Sequence, residues 1–148
     1  MNKIIIYLIA ILLTIGTLFV LSQVLILPYW LNQILVAIDS ALVATMGGVL
    51  YCLRGVYLNK SVHKNWDPDW EVWYYLRPLT SLLAGIASFI FLKAGLLILD
   101  AEAGDSSYGY WVVAFVAGYN VDNFLKKIED IAKSVWGIEK SRSGQDKD

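Results

Sequence analysis

An uncharged apolar run from Ile4 to Ile26 (IIIYLIAILLTIGTLFVLSQVLI) limits what this chain can fold into more than any other feature. At about 1.5 Å per helical residue it is long enough to cross a hydrocarbon layer about 30 Å thick. Its Ile, Leu, Val and Phe residues each favour the centre of that layer by about 0.3–0.6 kcal/mol, and Thr14, Gly16, Thr17 and Gln23 reduce the sum without reversing it. Lys3 supplies the basic start of a secretory signal. A signal's apolar region, however, is about 7–15 residues and ends in a small-residue cleavage pattern, whereas this run leads into Leu27, Pro28, Tyr29 and Trp30. The segment reads as a retained membrane helix.

Three further stretches repeat the theme. Ile34–Leu53 carries a single charge, Asp39, and continues past Arg54 to about Tyr57. Leu79–Leu99 contains Lys93, and Pro78 before it suits a helix start, where a missing N–H costs nothing. Tyr108–Val121 is too short alone, so its helix is expected from Ser107 to Leu125, carrying Asn120, Asp122 and Asn123 into the boundary region, where they need a protein partner or water. The chain is 57% apolar and 17% charged, against about 45–50% and about 25% for soluble domains. The expectation is an all-α membrane protein with four transmembrane helices, about 4–26, 34–57, 79–99 and 107–125. They form one domain, 1–136, ending in an amphipathic helix, and a polar tail, 137–148, is expected to be disordered.

Charge placement gives the orientation. The expected outer loops, Leu27–Gln33 and Asp100–Gly109, hold no Lys or Arg, and every basic residue except Lys93 falls in the N-terminus, between Arg54 and Arg77, or from Lys126 onward. The positive-inside rule then puts both termini in the cytoplasm. A three-helix arrangement would leave the basic tail outside, so the charges themselves favour four crossings.

Candidate functional residues fall into four groups. Asp39 and Lys93 are charges within crossings at nearly matching depths, so they are candidates for a buried ion pair or, in an oligomer, a charged vestibule. The plainer account has Lys93 snorkelling to the outer headgroups while Asp39 caps a helix start. Arg77 and Asp122 both fall at the cytoplasmic boundary, where an Arg–carboxylate bridge would lock the last two crossings together. Asp67 and Pro68 signal a helix start. Beyond them Trp66, Trp70 and Trp73 recur at helical spacing, with Tyr74 and Tyr75 alongside, and read as an interfacial belt; an aromatic cage for a cationic ligand is the alternative. Lastly, Ala44 with Gly48, Ser81 with Gly85, and Ala84 with Ser88 are spaced for close helix contact, within one chain or between copies.

A single cysteine, Cys52, and a single histidine, His63, exclude an internal disulfide and a zinc-type centre, and no cofactor, metal or nucleic acid is expected. Cys52 is a candidate for acylation, with apolar filling the simpler role, and His63 reads as a solvated loop residue. From Val121 to Trp136 the apolar residues Val121, Phe124, Leu125, Ile128, Ile131, Ala132, Val135 and Trp136 form one helical stripe, suited to lying on the inner leaflet or to binding a partner.

The blocks WYYLRPLTSLLAG (73–85) and FVAGYNVDNF (115–124) resemble segments of uncharacterised bacterial four-helix integral membrane proteins, over roughly the C-terminal half. That resemblance implies a bacterial inner membrane and supplies no activity. Two functions are expected in near balance: a homo-oligomeric complex, as a pore or permeability-altering effector, and a non-conducting anchor or adaptor that recruits a cytoplasmic protein partner through the aromatic loop and C-terminal helix. An intramembrane enzyme stands well behind both, because no catalytic pair of carboxylates, Ser/His pair or His cluster recurs at helical spacing.

Overall fold

The computed structural model describes residues 2–24, 28, 31–64, 66–96 and 107–138. Among them lie five α-helices and no strand: α1 (Asn2–Val24), α2 (Asn32–Tyr57), α3 (Glu71–Lys93), α4 (Tyr108–Tyr119) and α5 (Val121–Trp136). Three helical stretches, Asn2–Val24, Ile34–Val62 and Pro68–Lys93, are long and apolar enough to cross a membrane. With 12 residues, α4 is about 18 Å long and does not reach that length by itself.

Local chemistry sets the helix ends, and it moves two of the expected boundaries. The third helix starts before Pro78, not after it. Asp67 accepts the Asp69 N–H at 3.0 Å, Pro68 occupies the first turn, and the 3₁₀ turn Pro68–Trp70 runs directly into α3. Pro78 then lies inside the helix, where its missing N–H and bulky ring loosen one turn. In the same turn the Tyr7 hydroxyl of α1 donates to the Tyr75 carbonyl at 3.2 Å. At its other end α3 stops at Lys93 although the apolar run continues. Gly95 takes φ 71°, Gly95 N–H bonds Leu92 O and Leu96 N–H bonds Phe91 O, a closing pattern only a left-handed residue completes without strain.

The expected helix 107–125 is broken as well. Asn120 adopts φ −127°, ψ 57°, which ends α4 and redirects the chain into α5. Residues 25–27, 29–30, 97–106 and 139–148, which take in the last residues of the first and third expected crossings, parts of both expected outer loops and most of the polar tail, lie outside the described residues.

Contacts between helices fix an up-and-down order. At one end Tyr7 meets Tyr75, Arg54 meets Tyr119 and Arg77 meets Asp122. At the other, Ser22 meets Asp39, Phe19 meets Trp111 and Phe89 meets Tyr110. The start of α1, the end of α2, the start of α3 and the end of α4 therefore share one end, which carries Lys3, Arg54, Lys60, Lys64 and Arg77.

The centre is built from small residues. A Cβ on Gly118 would run into the Ala44 backbone, one on Gly48 into Ser81, and one on Gly85 would lie 2.6 Å from both Ala44 Cβ and Ser40 O. α3 and α4 thus press their backbones onto α2, with Ala44, Gly48, Ser81, Ala84, Gly85 and Ser88 all buried inside one chain. Dispersion between close backbones holds helices where lipid removes the hydrophobic drive. The buried hydroxyls are satisfied locally: Ser40 donates to Val36 O, Thr45 to Ala41 O and Ser88 to Gly85 O. Large apolar side chains point outward instead, among them Ile6, Leu13, Val20, Leu83, Ile90 and Val112.

Candidate functional site

Arg77 sits on the same face of α3 as Tyr74, Ser81, Gly85 and Ser88, the face turned to α2 and α4, and only 3% of it is exposed. Its Nη1 donates to Asp122 Oδ2 at 2.8 Å in the first turn of α5, while Nη2 reaches the Tyr119 carbonyl at 3.5 Å at the end of α4. The guanidinium lies 4.8 Å from the Tyr51 ring centroid and 5.0 Å from that of Trp73. One side chain therefore touches α2, α4 and α5. Its Nε has no hydrogen-bond partner among the described residues. Asp122 is 69% exposed, so solvent screens the charge attraction, and contact with the two rings contributes more than the ion pair.

A second arginine completes the clamp. Arg54 Nη1 donates to the Tyr119 hydroxyl at 2.9 Å, and the Tyr119 ring meets Tyr51 edge-on at 5.5 Å. The non-helical joint at Asn120 is thereby gripped from α2 and α3 together. Ser81 reinforces it, its Oγ lying 2.8 Å from Arg77 O and 3.0 Å from Gly118 O, so that one proton serves two carbonyls in turn. Such an array positions a helix.

At the opposite end Asp39 is 4% exposed and does not pair with Lys93. Its Oδ1 accepts from Ser22 Oγ at 2.5 Å and its Oδ2 from Gln23 Nε2 at 2.8 Å, tying α1 to α2. Helix register explains the failed pairing. Gly85 packs on Ser40 and Ala41, so Lys93 stands about 12 Å further along α3 than that contact. Lys93 is exposed, with Nζ 5.7 Å from the Tyr110 centroid, and Asp39 lies inside α2 where it caps nothing.

The aromatic residues divide in two. Trp70 and Tyr75 face outward as belt residues would. Tyr74 is 1% exposed in a core with Ile4, Leu8, Val49, Cys52 and Val56, and Trp66 and Trp73 pack against it. Cys52 is fully buried in that core, which leaves it no access to an acylating enzyme; His63 is exposed. Sequence reasoning passed over Tyr7, Ser22, Gln23, Arg54, Tyr51 and Tyr119. The signal for the last two was their position: tyrosines within apolar runs, at the depth where Arg77 needs partners.

Compared with protein-family models, curated proteins and solved structures, the chain matches none.

Proposed function

We propose that the chain is a four-crossing membrane anchor that holds an amphipathic helix at the cytoplasmic surface as the docking element of an adaptor. The observation that carries this reading is the clamp of Arg77 and Arg54 on the α4–α5 joint, which sets α5 at a defined angle to the bundle. α5 keeps Leu125 near its start and Val135 and Trp136 at its end exposed, and Gly137 ends the helix in the left-handed region at φ 68°. α4 serves as a short fourth crossing, a reading supported by its close packing on α2. The clustering of basic residues at one end supports a cytoplasmic assignment for that end, and with it an inner-membrane location.

The pore reading draws less from this arrangement. The small-residue faces that would have served assembly are occupied inside the chain, and Asp39 and Lys93 are apart. The test is proximity labelling from a tag after Asp148, in cells, for the intact chain, for Arg77→Ala and for a chain ending at Asn120. A discrete set of cytoplasmic neighbours should be captured by the first and reduced in the second. The truncated chain, tagged at its new end, should capture none of them. Equal capture by all three, or ion flux through the purified protein in liposomes, would turn the reading towards the pore.

A further inference from the structure

The connection between α2 and α3 forms a half-open cavity of about 190 Å³ lined by Asn59, Trp66, Asp67, Trp70 and Tyr74. Sites for drug-sized molecules run to about 300–1,000 Å³, so the occupant here is a single small group. Its walls are already in place. Trp66 stacks on Tyr74 with centroids 5.7 Å apart and planes 14° apart, Trp73 closes on Tyr74 edge-on at 5.2 Å, and Asn59 Nδ2 donates to the Tyr74 hydroxyl at 3.2 Å. Rings held this way lose little freedom when a ligand arrives.

The lining also selects charge. Indole and phenol faces carry negative quadrupole density, which attracts a cation and repels an anion. One oxygen of Asp67 accepts the Asp69 N–H, and no Lys or Arg among the described residues pairs with this carboxylate. Asn59, whose amide nitrogen donates to the Tyr74 hydroxyl, adds a carboxamide to the lining. A hard metal ion would need several oxygen ligands and finds one carboxylate. An organic cation uses every wall.

We propose that this cavity binds an organic ammonium group, with Trp66 and Trp70 beside its substituents, Tyr74 at its floor and Asp67 against its charge. Ethanolamine and choline lipid headgroups share this chemistry with free amines. Lys60 and Lys64, exposed on the same connection, supply positive charge for the phosphate of a zwitterionic headgroup. The proposal stands apart from any role of α5.

The test uses the full-length protein, with Asp67→Asn and Trp70→Leu as variants. Asn caps a helix as well as Asp, so the first removes charge and keeps the turn; Trp70 is 55% exposed, so the second leaves the core intact. Native mass spectrometry of protein released from nanodiscs of phosphatidylglycerol mixed with phosphatidylethanolamine or phosphatidylcholine reads which lipid is retained. Tryptophan emission of lipid-free protein in maltoside, titrated with ethanolamine or choline, reads free amines. Retention of the ammonium lipids by about five-fold or more over phosphatidylglycerol, falling to parity in both variants, supports the site with lipid as its source. A saturable emission change with the free amine, lost in both variants, supports it with a soluble source. Absence of both signals, or signals that survive in both variants, overturns it.

Discussion

Arg77 gathers more of this molecule's organisation than any other side chain, and its surroundings say which of its contacts matters. The guanidinium is buried, while its carboxylate partner is mostly in solvent, so the two rings and the Tyr119 carbonyl outweigh the charge pair. Arg77→Ala should cost about 2–4 kcal/mol, read as a lower melting temperature in detergent. Arg77→Lys should recover only part of it, because an ammonium has neither the flat face nor the fork. Asp122→Asn should cost under about 1 kcal/mol. Equal losses for Arg77→Ala and Asp122→Asn would show that the ion pair, and not the ring contact, carries the clamp. The pairing itself follows from counting helix residues to a shared boundary, and the atoms lie 2.8 Å apart. The ring contacts were not legible in that way, because Tyr51 and Tyr119 look like ordinary members of apolar runs until three helices converge on them.

Between elements, stability depends on how closely backbones approach, which makes glycine position decisive. Gly118→Ala would drive a methyl into the Ala44 backbone and push α4 off α2, costing about 3 kcal/mol or more. Gly16→Ala meets nothing within 4 Å on the outward side of α1 and should be neutral or stabilising by up to about 1 kcal/mol. Thermal unfolding of the two variants in the same detergent checks the contrast; a similar shift for both would mean that α4 can slide without penalty. The same competition between local chemistry and hydrophobicity decides what could be read beforehand. Apolar length alone located α1 and α2 to within a few residues, since nothing in them opposes a helix. It misplaced both ends of α3. At the start, Pro78 suits a boundary, but Asp67 followed by Pro68 gives the stronger signal further up the chain, and the helix runs from there through Pro78. At the end, Gly95 stops the helix where hydrophobicity would carry it on. The break at Asn120 had no local marker stronger than an asparagine, because the arginines that hold it come from α2 and α3.

Taken whole, the molecule buries polar and small side chains together with one apolar cluster around Tyr74, and turns many of its large apolar side chains outward, a distribution compatible with lipid. Asp39, Ser40, Thr45, Arg77, Ser81 and Ser88 are buried, while leucine, isoleucine and valine side chains cover the outside of α1, α3 and α4. A soluble bundle would bury the second set and expose the first. If α4 crosses as proposed, Lys3 and Ser134 belong on the side of the basic end and Ala94 on the other, because α1 starts and α5 follows at the end where Arg77 meets Asp122 while α3 finishes at the opposite end. Single cysteines at these places read the arrangement directly, and the fully buried Cys52 gives little background. With a membrane-impermeant maleimide applied to intact cells, Ala94→Cys should label at once. Lys3→Cys and Ser134→Cys should label only after the membrane is opened. Labelling of Lys3→Cys and Ser134→Cys from opposite sides would mean that α4 does not cross. α5 would then stand outside the cell, the clamp at Asn120 would face away from the cytoplasm, and the docking role proposed for α5 would fall with it.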